Sequence, residues 1–198
     1  MNPTLLLGLL ACLLTANSFG QESFYTLLDS SHQESYQTLQ QEHIYEISHQ
    51  ELHRLFQQSD KQYKLIYTFG VWCKPCIELL PTVLNLSDEH ADKLDLYTVI
   101  TENRTNILQL SRNYFARYKD FDRPVFNVSN VYHKRWRKKY NIFIDKLVPG
   151  HENFGMSLLI LFDENNQVVF VSNYYLSKED KINKVLEFLE AEPVAIDK

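Results

Sequence analysis

Two cysteines three positions apart, set where a β-forming run gives way to helical periodicity, constrain this chain more than any other feature. Tyr63 to Phe69 is rich in β-formers and nearly unbroken by charge, which suits a central strand covered on both faces. Trp72-Cys73-Lys74-Pro75-Cys76 follows. Ile77, Leu79, Leu80, Val83 and Leu84 then continue as a helix, with Pro81 expected to kink it. On the first turn of a helix, residues three apart are neighbours at about 5–6 Å between Cβ atoms, compatible with the roughly 4.4–6.8 Å Cα separation of a disulfide. Such a pair can open and close locally.

The compartment is read from the first twenty residues. Leu5 to Leu14 is almost wholly apolar, and Met1 to Gly20 carries no charged side chain. At about ten residues the run is too short to span a bilayer and has the form of a signal-peptide core, with cleavage expected after Gly20. A second route is lipoprotein processing at Leu9-Leu10-Ala11-Cys12, which would leave an acylated Cys12 as the mature N-terminus and is the one reading that brings the chain to a membrane. Simple cleavage leaves Cys73 and Cys76 as the only cysteines. A disulfide kept for stability in an oxidising compartment would close a long loop, because the unfolded-state entropy removed grows with loop length. A loop this short staples almost nothing, so the pair is better explained by its chemistry. The residues alone also allow a zinc site, with His49 and His53 four apart on a helix. Two cysteines supply half of a structural zinc's ligands, and no metal or cofactor is expected.

The remaining length suits one domain. Residues 21–42 are rich in Gln, Ser and Glu and read as an extension or tether, and residues 43–198 as the domain. His43 to Ile47 is a short strand, and Ser48 with Glu51 makes a capping box ahead of a helix that buries Leu52, Leu55 and Phe56. Leu94 to Ile100 is a strand, and Ile107, Leu110, Tyr114 and Tyr118 recur at helical spacing. Ser157 to Phe162 and Val168 to Val171 form a hairpin across Asp163-Glu164-Asn165-Asn166, and Ile182, Val185, Leu186 and Leu189 mark a last amphipathic helix. The order is β-α-β-α-β-α, an insertion from about 120 to 152, then β-β-α.

That order, with Trp-Cys-x-Pro-Cys at the end of the second strand and a proline five residues past the second cysteine, resembles the thioredoxin superfamily, and within it the envelope thiol-disulfide oxidoreductases of bacteria. The resemblance implies an α/β fold of three layers, a central mixed sheet flanked by helices. It also implies a periplasmic or other extracytoplasmic enzyme that exchanges disulfides with partner proteins, in the reducing direction, and draws electrons from another envelope protein. Cys73 is then the nucleophile, its thiolate favoured by the helix N-terminus and by Lys74, and Cys76 the resolving thiol. Pro75 fits the first helical turn, and Trp72 shields the pair and offers an apolar contact.

Two positions depart from the family. Gly155-Met156-Ser157 stands where the family places a cis-proline facing the cysteines, and a trans peptide is expected at Met156. Tyr67 stands where thioredoxins carry a buried acid that helps deprotonate the resolving cysteine, and Glu78 is the one nearby stand-in. These losses favour an alternative: a thioredoxin-like protein-binding scaffold with regulatory or vestigial cysteines.

The run from His133 to Lys139 is the strongest charge cluster, and with Tyr132, Trp136 and Tyr140 at four-residue spacing it reads as an amphipathic helix, aromatics on the sheet and charges in water. Anionic lipid, nucleic acid and an acidic partner beside the thiols are its other uses, although a net charge of −5 argues against nucleic acid. Asn85, Asn103 and Asn127 begin glycosylation sequons that matter only in a eukaryotic secretory pathway.

Overall fold

A computed structural model of the chain describes residues 25–27, 39, 43–118, 121, 123–152 and 155–191. The proposed leader, its cleavage site and Cys12 lie outside these residues. So do most of the extension and the C-terminal tail.

Seven strands form one mixed sheet: β1 (Tyr25–Leu27), β2 (Ile44–Ile47), β3 (Tyr63–Phe69), β4 (Leu94–Ile100), β5 (Val125–Val128), β6 (Leu159–Phe162) and β7 (Val168–Val171). Their order across the sheet is β1-β2-β5-β4-β3-β6-β7. The five strands from β1 to β3 in that order are parallel, and β6 and β7 continue the sheet antiparallel. The helices are α1 (His49–Gln58), α2 (Lys74–Glu89), α3 (Thr105–Phe115), α4 (Trp136–Leu147) and α5 (Lys178–Leu189).

The period-two alternation of β3 divides the core. Leu65, Tyr67 and Phe69 pack with Leu79, Leu80 and Val83 of α2 and Val185 of α5 on one face of the sheet. Ile66 joins Leu52, Leu55 and Phe56 of α1 and Phe143 and Ile144 of α4 on the other. The result is the three-layer α/β arrangement, β3 at its centre and buried almost throughout.

Local chemistry sets the boundaries. Glu51 N–H donates to Ser48 Oγ, and Ser48 N–H donates to Glu51 Oε2 at 2.6 Å, completing the capping box at the start of α1. Asp163 Oδ1 accepts from the N–H groups of Asn165 and Gln167, and Asn166 takes a positive φ of 58° to close the β6–β7 hairpin. Helix α2 runs through Pro81 without a break.

Three features differ from the sequence reading. Tyr25–Leu27, inside the stretch read as an extension, pairs in parallel with β2 as an edge strand. The inserted segment supplies β5, which lies between β2 and β4 and so builds the middle of the sheet. Helix α4 starts at Trp136, which leaves Tyr132 in the preceding turn, its hydroxyl accepting from His49 N–H at 2.7 Å.

Candidate active site

Because β2, β5, β4 and β3 run in parallel, their C-terminal ends meet at one edge of the sheet. That edge carries the cysteines after β3, Glu102 to Arg104 after β4, and the basic run after β5. Open parallel sheets characteristically bind ligands at such an edge.

Cys73 is the N-cap of α2, in extended conformation, and its Sγ accepts from Cys76 N–H at 3.3 Å. The two residues form a disulfide with their Cα atoms 5.2 Å apart. Their exposures differ: Cys73 keeps 9% of its surface and Cys76 none. Pro75 sits in the first turn of α2, where its missing N–H leaves no bond unmade. Lys74 is solvated and pairs with Glu78 at 3.8 Å, which offsets part of the charge it offers Cys73.

Trp72 is 48% exposed, and its indole packs on Trp136 at the start of α4, ring centroids 5.0 Å apart. Between these rings, Cys73 and the Gly155-Met156 backbone opens a cleft of about 460 Å³, also lined by Pro75 and Tyr140. The sequence-selected Trp72, Cys73, Pro75, Gly155 and Met156 thus share one wall or another of a single cleft. Ser157 lies behind it, buried at a positive φ of 69°. Its N–H donates to Thr68 O at 3.1 Å, and its own carbonyl accepts from the buried Lys181 ammonium at 3.1 Å. Tyr140 OH donates to Gly155 O at 2.6 Å, so the loop opposite the cysteines is held by β3, α4 and α5 in the absence of the proline. No peptide bond among the described residues is cis, Met156 included.

Tyr67 is fully buried beneath the start of α2, and its hydroxyl donates to the backbone carbonyl of Cys76 at 2.5 Å. Burial raises its pKa far above the ordinary phenol value. Glu78 does not replace the missing acid: it faces solvent between Lys74 and Lys178, the latter 3.0 Å away, and these ammonium groups hold its carboxyl below the usual range.

The basic run is only partly the solvated face that its sequence suggests. Lys139 is fully buried, donating to Glu102 O at 3.0 Å and Asn130 Oδ1 at 3.2 Å, and burial lowers its pKa to about 8 against the pull of Glu46 and Glu102. Trp136 turns to Trp72 rather than to the sheet. A second cavity of about 590 Å³ lies beyond it, lined by Asn103, Arg104 and residues 134–138. This neighbour of the cysteine cleft was not legible in sequence, since Asn103-Arg104 and the run from Lys134 meet only through the pairing of β4 with β5.

The other candidates are accounted for. His49 Nδ1 bonds Tyr132 OH at 2.6 Å, and His53 sets its ring edge-on to Phe56 and Phe162. Among the described residues no group of three or more His, Cys, Asp and Glu side chains could hold a metal ion. Asn85 and Asn103 are exposed, whereas Asn127 is buried with its amide bonded to the backbone of Glu102 in both directions. Among the described residues no helix is long and apolar enough to cross a membrane.

Sheet order, a central strand feeding the cysteine pair and helices on both faces make this a thioredoxin-like fold. No protein-family model and no curated protein matches the chain. Among solved structures it is similar to the thioredoxin domain of a thiol-disulfide oxidoreductase from Bacteroides vulgatus, at 18% identity and a TM-score of 0.46, covering 65% of this chain and 79% of that one. A thiol:disulfide interchange protein from Bacteroides sp. is similar at 17% identity and a TM-score of 0.47, covering 71% and 80%. StoA from Bacillus subtilis is similar at 16% identity and a TM-score of 0.45, covering 67% and 85%.

Proposed function

We propose that this chain is an exported thiol-disulfide oxidoreductase that reduces disulfides in partner proteins through Cys73 and Cys76. The observation that carries the reading is the inequality of the two sulfurs. Cys73 sits at the head of α2, receives an N–H bond and faces a cleft, while Cys76 is sealed behind it.

In the reduced protein the Cys73 thiolate attacks one sulfur of a partner disulfide. The partner's S–S bond breaks, a mixed disulfide forms and one partner thiolate leaves. Cys76 then loses its proton and attacks Cys73 Sγ, which expels the second partner thiolate. The partner gains two electrons and two protons, one released by Cys76 and one taken from water, and Cys73 and Cys76 end as the disulfide. A dithiol protein of the same compartment returns the electrons by the same chemistry in reverse. The Cys76 N–H and the positive end of α2 favour the Cys73 thiolate at each stage.

The test is reduction of insulin by the pre-reduced protein, with Cys73→Ser as control; turnover no faster than the control rules out exchange. The reading of export rests on the short apolar run from Leu5 to Leu14, and processing at Cys12 would add a lipid anchor. The second reading, a binding scaffold, draws on Tyr67 in the place of the buried acid. A Cys76→Ser variant separates the two: an oxidoreductase accumulates mixed disulfides through Cys73, and a scaffold retains the same partners without either cysteine.

A further inference from the structure

We propose that the redox partner is recognised through an acidic polypeptide segment that lies in the basic groove beside the Cys73–Cys76 pair. The proposal rests on the thiol-exchange reading and adds the class of partner.

The groove is ringed by Lys134, Arg135, Arg137 and Lys138, all exposed. None of the four forms an ion pair with a described residue. Arg104 completes the ring but is bound to the Glu102 carboxylate at 2.8 Å. Arg137 lies over the Trp136 ring, 5.2 Å from its centroid, and in a chain of net charge −5 four cations around one concavity, without an ion pair among the described residues, repel one another and attract an anionic visitor. Helix α4 begins here, after its N-cap Arg135, with no side-chain cap and no acid in the first turn, so its backbone end adds to the same field, whereas at the start of α3 the Glu102 carboxylate already accepts from Arg104 N–H at 3.1 Å.

Continuity with the redox cleft makes the occupant a polypeptide. Trp136 and Arg137 line both cavities, and Trp136 bridges to Trp72 next to Cys73. A chain presenting a disulfide to Cys73 passes over the tryptophan pair and enters the groove within a few residues. The frame is fixed in advance: buried Lys139 ties α4 to the turn after β4, and the Asn103 amide donates to Lys134 O. An anionic membrane surface would meet cations on a convex face, whereas these surround a hollow.

Two labelled peptides test it, identical except for four Glu or four Gln on one side of a cystine loop, with serines replacing the cysteines so that binding is read apart from exchange. Titrated into the oxidised full chain at low ionic strength, the Glu peptide is expected to bind at least about tenfold tighter, with the advantage shrinking as salt screens it. Lys134→Gln/Arg135→Gln/Lys138→Gln should bring the ratio close to one, and Lys138→Glu alone should lower it severalfold. Equal binding of the two peptides to the wild type, or an undiminished ratio in the triple variant, overturns the proposal. Binding to phosphatidylglycerol vesicles with no preference between the peptides overturns it in favour of a membrane face. With the cystine peptides, turnover of neither would sink the exchange reading, while the binding ratio still decides the groove.

Discussion

The Tyr67 hydroxyl is committed to the backbone of Cys76, donating to its carbonyl at 2.5 Å, and so ties the central strand to the first turn of the helix that carries both sulfurs. An acid at this position could take a proton from the resolving thiol. A phenol whose pKa burial holds far above the thiol range cannot, and it serves the helix instead.

Tyr67→Phe is therefore expected to act on stability and not on thiol ionisation. The Cys76 carbonyl keeps its place in the helix, so the loss is that of one neutral hydrogen bond, about 1 kcal/mol. Urea unfolding of the oxidised protein measures it. The pH profile of Cys76 alkylation in the reduced variant should match the wild type, and a shift in that profile would show that the phenol acts on the sulfur.

The two thiols should label unequally once reduced. Cys73, at the helix head with an N–H on its sulfur, is expected to titrate below the free-thiol value of about 8.5, and Cys76, with no exposed surface, to react far more slowly. Iodoacetamide labelling against pH, with the adduct located by mass spectrometry, separates them. Equal rates with both titrating near the free-thiol value would remove the basis for naming Cys73 the nucleophile.

What was legible in sequence is what short-range physics controls. The Ser48/Glu51 capping box, the Asp163 hairpin turn and the strand feeding Cys73 each follow from residues a few positions apart. Strand β5 did not show itself: Val125-Phe126-Asn127-Val128 is four residues with a polar member, and its register with β2 and β4 is decided by contacts far away in sequence. The same distance hid the groove, which exists because β5 carries the basic run to the turn after β4. The charge cluster was visible, but nothing local marks Lys139 as the member that turns inward.

Acid should weaken the packing of α1 against the turn before α4. His49 has its pKa lowered by burial, then by the nearby His53 and Lys146 charges, and its Nδ1 accepts from Tyr132 OH in the neutral ring. Below the unfolded value near 6.5, the unfolded chain binds the proton more readily than the folded one, so stability is full above that pH and falls as pH drops through it. His49→Gln keeps an acceptor for Tyr132 without titrating. Chemical unfolding at a series of pH values from 7.5 to 5 should show a shallower loss in the variant, with a residual slope from His53 and His151, whose pKa values burial also lowers. Identical slopes would mean that His49 takes its proton freely in the folded state.

Alkali should do the opposite at Lys139. Its ammonium has no exposed surface, bonds Glu102 O and Asn130 Oδ1, and titrates at about 8 because burial outweighs the attraction of Glu46 and Glu102. In the unfolded chain the same group holds its proton to about pH 10.4. Between those values the unfolded state binds more protons than the folded state, so folding gains stability as pH rises, by at most about 1.4 kcal/mol per pH unit. Lys139→Met fills similar space and has no proton to lose. Measured by urea unfolding at pH 8, 9 and 10, the stability difference between wild type and variant should therefore move in favour of the wild type by about 2 kcal/mol over the series. Despite burial, hydrogen bonds from Arg104 and Asn103 hold the Glu102 carboxyl below the usual range, so it stays ionised throughout and does not contribute to the change. Parallel pH curves for the two proteins would mean that the Lys139 ammonium is solvated and does not make the buried contact that ties α4 to the turn after β4.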